Sequence, residues 1–139
     1  MVAIPGIGPV TATAIIAAIG NGAAFKKGRG VSAWLGIVPG EYTTGGKQKL
    51  LGISKRGNSY LGRLLVQGAR AVLQQSAKQS SGLSAWLAQL TTRTHSNVAA
   101  VALANKLARM AWPCSPRMNP IARPCWSAQL QHDWPADDA

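Results

Sequence analysis

Three observations predict a mainly α fold for this 139-residue chain: a glycine turn that opens into an apolar run, a long stretch with leucines three and four residues apart, and two later stretches with the same period. The expected architecture is a helix-hairpin-helix-like start, a helical bundle carrying a short loop or β-hairpin insertion, and an irregular C-terminal tail. An apolar content of 47% gives such a bundle enough core for one domain.

The first element is Ile4-Pro5-Gly6-Ile7-Gly8-Pro9 followed by an apolar run from Val10 to Ile19. Pro9 suits a first helical turn, where its missing N–H breaks no bond, and Gly20 with Gly22 are stop signals, so residues 4–20 read as a glycine turn and a short helix. Ala23 to Gly30 turns to Gly, Lys and Arg, and Val31 to Leu35 has room for one or two helical turns before Pro39. Residues 40–58 read as a basic loop or hairpin, with Glu41-Tyr42-Thr43-Thr44 and Lys47-Gln48-Lys49-Leu50 flanking Gly45-Gly46.

Asn58 is expected to cap a long helix whose core face is Leu61, Leu64, Leu65, Ala69, Val72 and Leu73. After Ser80-Ser81-Gly82, Leu83, Trp86, Leu87 and Leu90 form a second amphipathic pattern. Val98, Val101, Ala102, Leu107 and Ala108 form a third, running from a Ser96 or Asn97 cap to Trp112, and its many alanines imply close helix packing. Trp34, Trp86 and Trp112 fall on apolar faces and are expected in the core. Beyond Trp112 the chain becomes Pro-rich without a period, which sets a domain over residues 1–112 and a tail over 113–139.

Charge is distributed with equal clarity. Residues 1–112 hold 13 of the 15 Lys and Arg but a single acid, Glu41, and the chain carries a net +11. A surface with so little counter-charge suits a polyphosphate backbone, because each phosphate neutralised releases condensed counterions. Nucleic acid is therefore the expected partner. The same imbalance excludes a self-contained two-metal nuclease, whose cations are held by clustered carboxylates. No apolar run reaches bilayer-spanning length, and no signal peptide precedes the domain, so no membrane partner and an intracellular location are expected. Cys114 and Cys125 read as free thiols, and His95 and His132 receive no role.

Three constellations carry candidate chemistry. At Pro5-Gly6-Ile7-Gly8, Gly6 and Gly8 would let the backbone approach a phosphate at a helix N-terminus, against the alternative of an ordinary turn between packed helices. The leading helix of such a motif would lie before Met1. Lys47, Lys49, Lys55 and Arg56 precede Arg63 and Arg70, which are seven residues apart and so share a helix face; the alternative is a solvated basic face, left without acidic partners here. Within the basic loop, Thr43, Thr44 and Ser54 offer hydroxyls that could attack phosphorus, or that simply cap turns.

The ordered blocks Ile4-Pro-Gly-Ile-Gly-Pro9, Ala33-Trp-Leu-Gly-Ile-Val-Pro39, Thr44-Gly-Gly-Lys47, Gly52-Ile-Ser-Lys-Arg-Gly-Asn58, Tyr60-Leu61, Gly68-Ala-Arg70 and Asn97 to Arg109 resemble the C-terminal transposase domain of one bacterial insertion-sequence family, the "one-ten" group with its "eleven-eleven" branch. The resemblance covers residues 1–112 and implies DNA transposition by strand exchange. In that family four acidic residues of an upstream RuvC-like DEDD domain bind Mg2+, and a serine of this domain attacks DNA. It further implies an oligomer, in many members an element-encoded guide RNA, and a bacterial, nucleoid-associated location. No cofactor is expected in this chain itself, with Mg2+ entering only alongside the RuvC-like domain.

The chain departs from that family pattern in ways that carry their own expectations. No acidic domain accompanies residues 1–112, so an incomplete copy, inactive alone, is expected. Only Thr43 and Thr44 align with the family serine. Gly62 stands where similar proteins usually carry Arg, and the apolar helical continuation gives way at Pro113, which reads as a frameshifted tail. The alternative function is a stand-alone, non-catalytic nucleic-acid-binding module of helix-hairpin-helix type.

Overall fold

The computed structural model describes residues 4–20, 23–75 and 82–113. The tail beyond Pro113, with both cysteines and His132, lies outside them, as does any helix ahead of Ile4. The described chain is mainly helical: α1 Pro9–Ile19, α2 Gly28–Trp34, α3 Ser59–Gln75, α4 Gly82–Arg93 and α5 Ser96–Ala111, with a two-stranded antiparallel hairpin of β1 Pro39–Thr44 and β2 Lys47–Ile53 between α2 and α3.

The helix boundaries follow local chemistry. Gly8 is the N-cap of α1 and Pro9 its first residue, and Gly20 ends it at a positive φ of 62°, which a residue without a Cβ adopts freely. Asn58 caps α3 as expected, its Oδ1 accepting from the backbone N–H of Tyr60 at 3.2 Å and of Leu61 at 3.3 Å. At α5 the expectation of a Ser96 or Asn97 cap is corrected: His95 is the N-cap, and its Nδ1 accepts from the Asn97 N–H at 3.3 Å. A neutral imidazole nitrogen offers the same lone pair as a serine oxygen, and it satisfies one of the unpaired first-turn amides. The second helix begins at Gly28, three residues earlier than the apolar pattern marks, and its first residue sits against α5: a Cβ there would lie 3.0 Å from the Arg109 carbonyl oxygen.

Helix α5 is the centre of the molecule, in contact with α2, α3 and α4. Its buried stripe is Ala99, Ala100, Leu103, Ala104, Leu107, Ala108 and Ala111. Alanine at most of these positions lets the neighbouring helices approach closely, and the leucines fill the remaining gaps. Across from it stand Leu61, Leu65, Ala69 and Val72 of α3, Leu83 and Leu87 of α4, and Val31 of α2. Val98 leaves this stripe and is 56% exposed, which corrects its sequence assignment to the core. The tryptophans are also less buried than their apolar surroundings imply. Trp34 is 39% exposed and meets Phe25 edge-on at 5.8 Å, whereas Trp86 and Trp112 are half-buried, with the Lys106 Nζ lying 4.6 Å over the Trp86 ring.

The hairpin projects from this body. Its pairs run Thr44 with Lys47, Thr43 with Gln48, Tyr42 with Lys49, and Glu41 with Leu50, then shift by one residue to Pro39 with Ile53. Gly45 and Gly46 both take positive φ, 61° and 77°, the geometry of a tight two-residue turn between twisted strands. The bulge in β2 bends the ladder where it joins the helical body.

Candidate nucleic-acid interface

One cavity of about 380 Å³ gathers the residues that the sequence set apart. It opens between the turn after α2, the foot of β2 and one face of α3. Leu35, Ile37, Ile53 and Val66 give it an apolar floor, and Lys55, Arg63 and Arg70 stand on its lining together with Ser59 and Gln67. On α3 the contributing positions are 59, 62, 63, 66, 67 and 70, the three-and-four spacing of one helix face. Arg63 and Arg70 thus share a face as their separation requires, and all of Lys55, Arg63 and Arg70 are exposed. Arg70 reaches across to α5, its Nη2 donating to the Asn97 Oδ1 at 3.4 Å. Among the described residues no carboxylate lines the cavity.

One close chain crossing builds this cavity. Gly36, at φ 71°, passes so near the next loop that a Cβ on it would lie 2.6 Å from the Gly57 nitrogen. A Cβ on Gly57 would lie 2.2 Å from the Trp34 carbonyl oxygen, so neither position accepts a side chain without a backbone shift. Between them, Lys55 holds φ at 55°, in the left-handed region that is costly for a residue with a Cβ. Two hydrogen bonds pin it there, from the Lys55 N–H to the Gly36 carbonyl and from the Ser54 N–H to the Val38 carbonyl, each 3.0 Å. Strain of this kind persists where the surrounding structure over-determines it, and such places are frequently sites of binding.

Other candidate residues lie apart from the cavity. Lys47 and Lys49 sit exposed on β2, and paired residues on an antiparallel ladder share a face, so they stand with Thr44 and Tyr42 on one side of the hairpin. Thr43 is on the opposite side, with Gln48 and Glu41, whose carboxylate accepts a hydrogen bond from the Gln48 Nε2. The two threonines therefore have different company: Thr44 is among cations, Thr43 beside the one acid of residues 1–112. Arg56 is exposed next to Lys55 but does not line the cavity.

Gly6 and Gly8 border a second, more open groove of about 670 Å³, formed by residues 4–8, Thr11 and the neighbouring face of α3. Gln67 lines both hollows, so the groove and the cavity adjoin across α3. The two glycines differ. Gly8 is exposed, with open space where a Cβ would point, whereas Gly6, at φ 86°, faces the core with Val72 Cγ2 2.9 Å and Leu107 Cδ1 3.1 Å from that point. Packing therefore accounts for the glycine at position 6.

The Mg2+ that the resemblance implies does not fit the donors of this domain. Glu41 is the single carboxylate in residues 1–112 and is engaged with Gln48, and among the described residues no three His, Cys, Asp or Glu side chains group together. Among them, too, no helix is long and apolar enough to cross a membrane. Sequence reasoning missed the apolar floor, Gln67 and the left-handed Lys55, since none of these carries a local signal.

Comparison with known proteins agrees with the sequence blocks. The family described as "Transposase IS116/IS110/IS902 family" matches residues 2–85. A "Probable family 20 transposase" of Pseudomonas aeruginosa is 49% identical over 112 residues, 81% of this chain and 33% of that protein. The "Transposase for insertion sequence element IS1328" of Yersinia enterocolitica is 50% identical over 112 residues, covering 81% and 34%, and that for IS1111A of Coxiella burnetii is 45% identical over 109 residues, covering 78% and 30%. The chain thus spans about a third of the length of these relatives. With its family match running over more than half of its residues, the chain belongs to the IS116/IS110/IS902 transposase family.

Proposed function

We propose that residues 1–112 form the DNA-binding C-terminal domain of an insertion-sequence transposase, holding phosphates while the carboxylates for metal-assisted strand cleavage come from elsewhere. The observation that carries this reading is the convergence of Lys55, Arg63 and Arg70 on one cavity that no carboxylate lines among the described residues. Lys47 and Lys49 on the hairpin and Arg56 beside Lys55 extend the cationic surface. The turn at Gly6 to Gly8 supplies a second approach for the backbone, next to the first through Gln67.

Within this reading Thr44 is the better stand-in for the family serine, because it shares a hairpin face with Lys47 and Lys49, cations that would offset charge on a phosphate under attack. Transposition by the whole assembly would need an oligomer, and an element-encoded RNA is a second polyanion for the same surface.

Fluorescence anisotropy of a labelled DNA duplex across a KCl series tests the binding reading. Affinity is expected to fall with a log-log slope of about 0.9 per phosphate contacted, and Arg63→Gln with Arg70→Gln is expected to lower that slope by about 2. A flat response to salt removes the proposal. The catalytic part has its own test: nicking should emerge only when the chain is mixed with a separate acidic RuvC-like domain, and should fail with Thr44→Ala.

A further inference from the structure

A surface that only followed a DNA backbone would have no use for an apolar hollow at its centre. Leu35, Ile37, Ile53 and Val66 line one here, and its volume of about 380 Å³ falls at the small end of the range, about 300–1,000 Å³, in which proteins hold small organic ligands. Lys55, Arg63 and Arg70 share its lining. Gly62 opens its α3 wall: the first side-chain carbon there would sit in ordinary contact with the Leu35 carbonyl oxygen, at 3.7 Å, and with Ile37 Cγ2, at 3.8 Å, and anything longer would enter the space.

Resting on the nucleic-acid reading above, we infer that this cavity receives one unstacked base of a single strand, with the flanking phosphates held by Lys55, Arg63 and Arg70. The chemistry of the pocket matches that of a nucleotide in a strand, which is an apolar, flat body between anionic linkers. A base inside a duplex is stacked and paired and cannot enter, so the cavity favours single-stranded or locally opened nucleic acid. Two side chains give the base more than a place to be dry. The planar guanidinium of Arg63 can lie on a base face, and the Gln67 amide, which both donates and accepts, can meet a base edge. Gln67 also lines the groove at Gly6 to Gly8, which carries the strand onward along α3.

The test titrates the full chain, at one KCl concentration, into a labelled single strand, into the matching duplex, and into a single strand carrying 2-aminopurine, whose fluorescence reports unstacking. The wild-type chain is expected to prefer the single strand and to change the 2-aminopurine signal. Val66→Trp and Gly62→Leu fill the cavity and should weaken single-strand binding by about tenfold or more, and by more than they weaken duplex binding, so that the wild-type preference for the single strand is lost. A thermal melt checks that each variant is folded, and if neither folds the wild-type preference and 2-aminopurine signal decide alone. Equal or tighter binding of the duplex by the wild type, an unchanged 2-aminopurine signal, or folded variants that bind the single strand normally overturns the inference. Displacement of the strand by adenosine monophosphate at a concentration near its own affinity would also overturn it, by making the cavity a mononucleotide site. If neither nucleic acid binds, the proposed function fails as well; if the duplex binds with its salt slope intact, only this inference does.

Discussion

A side-chain carbon placed on Gly68 would lie 2.0 Å from the Gly6 carbonyl oxygen. The turn ahead of α1 and the middle of α3 therefore meet backbone to backbone, and two glycines 62 residues apart explain each other. Gly68→Ala must push the turn off α3 or distort the helix. A loss of about 1–3 kcal/mol is expected, read from urea denaturation at constant m-value. A neutral outcome would mean that residues 4–8 do not dock where the structure has them.

Lys55 sets local strain against binding. Glycine adopts its left-handed conformation freely, so Lys55→Gly is expected to hold or raise stability, by up to about 1 kcal/mol, while it weakens DNA binding. Lys55→Val adds a branched Cβ to the same strained backbone and should lower stability by at least as much. A melting series on both variants, paired with anisotropy, separates the backbone effect from the lost charge.

Gly62 lies within a helix and has room for a methyl group, with neighbours at 3.7 and 3.8 Å. Gly62→Ala should therefore stabilise the fold by roughly 0.4–1 kcal/mol, since it reduces the freedom of the unfolded chain. Chemical denaturation measures it directly, and a destabilised variant would show that the cavity wall is tighter than described.

Removal of the Asn58 cap tests how α3 begins. Asn58→Ala should cost about 1 kcal/mol, and Asn58→Asp or Asn58→Ser should recover most of it. Hydrogen exchange at the Tyr60 and Leu61 amides, which the cap accepts from, should quicken in the alanine variant alone.

Helices with ordinary signals were legible from sequence. Pro9 and Gly20 bracket α1, Asn58 opens α3, and the leucine spacing of α3 marks its buried face correctly. The failures have physical causes. Histidine seldom serves as a cap, so His95 passed unnoticed. Val98 has the apolar character of its helix but stands one residue ahead of Ala99, the first member of the buried stripe, so only the packing direction of α5 reveals its exposure. The basic residues could be named, but the hollow between them could not: it exists because Gly36 crosses Gly57, residues 21 positions apart whose approach no local pattern encodes. For the same reason Gly6 reads as a phosphate turn in sequence, while in three dimensions its missing side chain makes room for Val72 and Leu107.

The meeting of Lys55, Arg63 and Arg70 on the lining of one hollow also bears on how long the folded molecule lasts. Like charges held together push against the native arrangement, and a bound polymer of opposite sign relieves that push in addition to stabilising by mass action. Salt should thus raise the melting temperature of the empty protein even as it loosens the protein's grip, and copies that have let go should be the first consumed by proteases. Occupancy and survival become one variable, which ties the persistence of each copy to the strand it is holding.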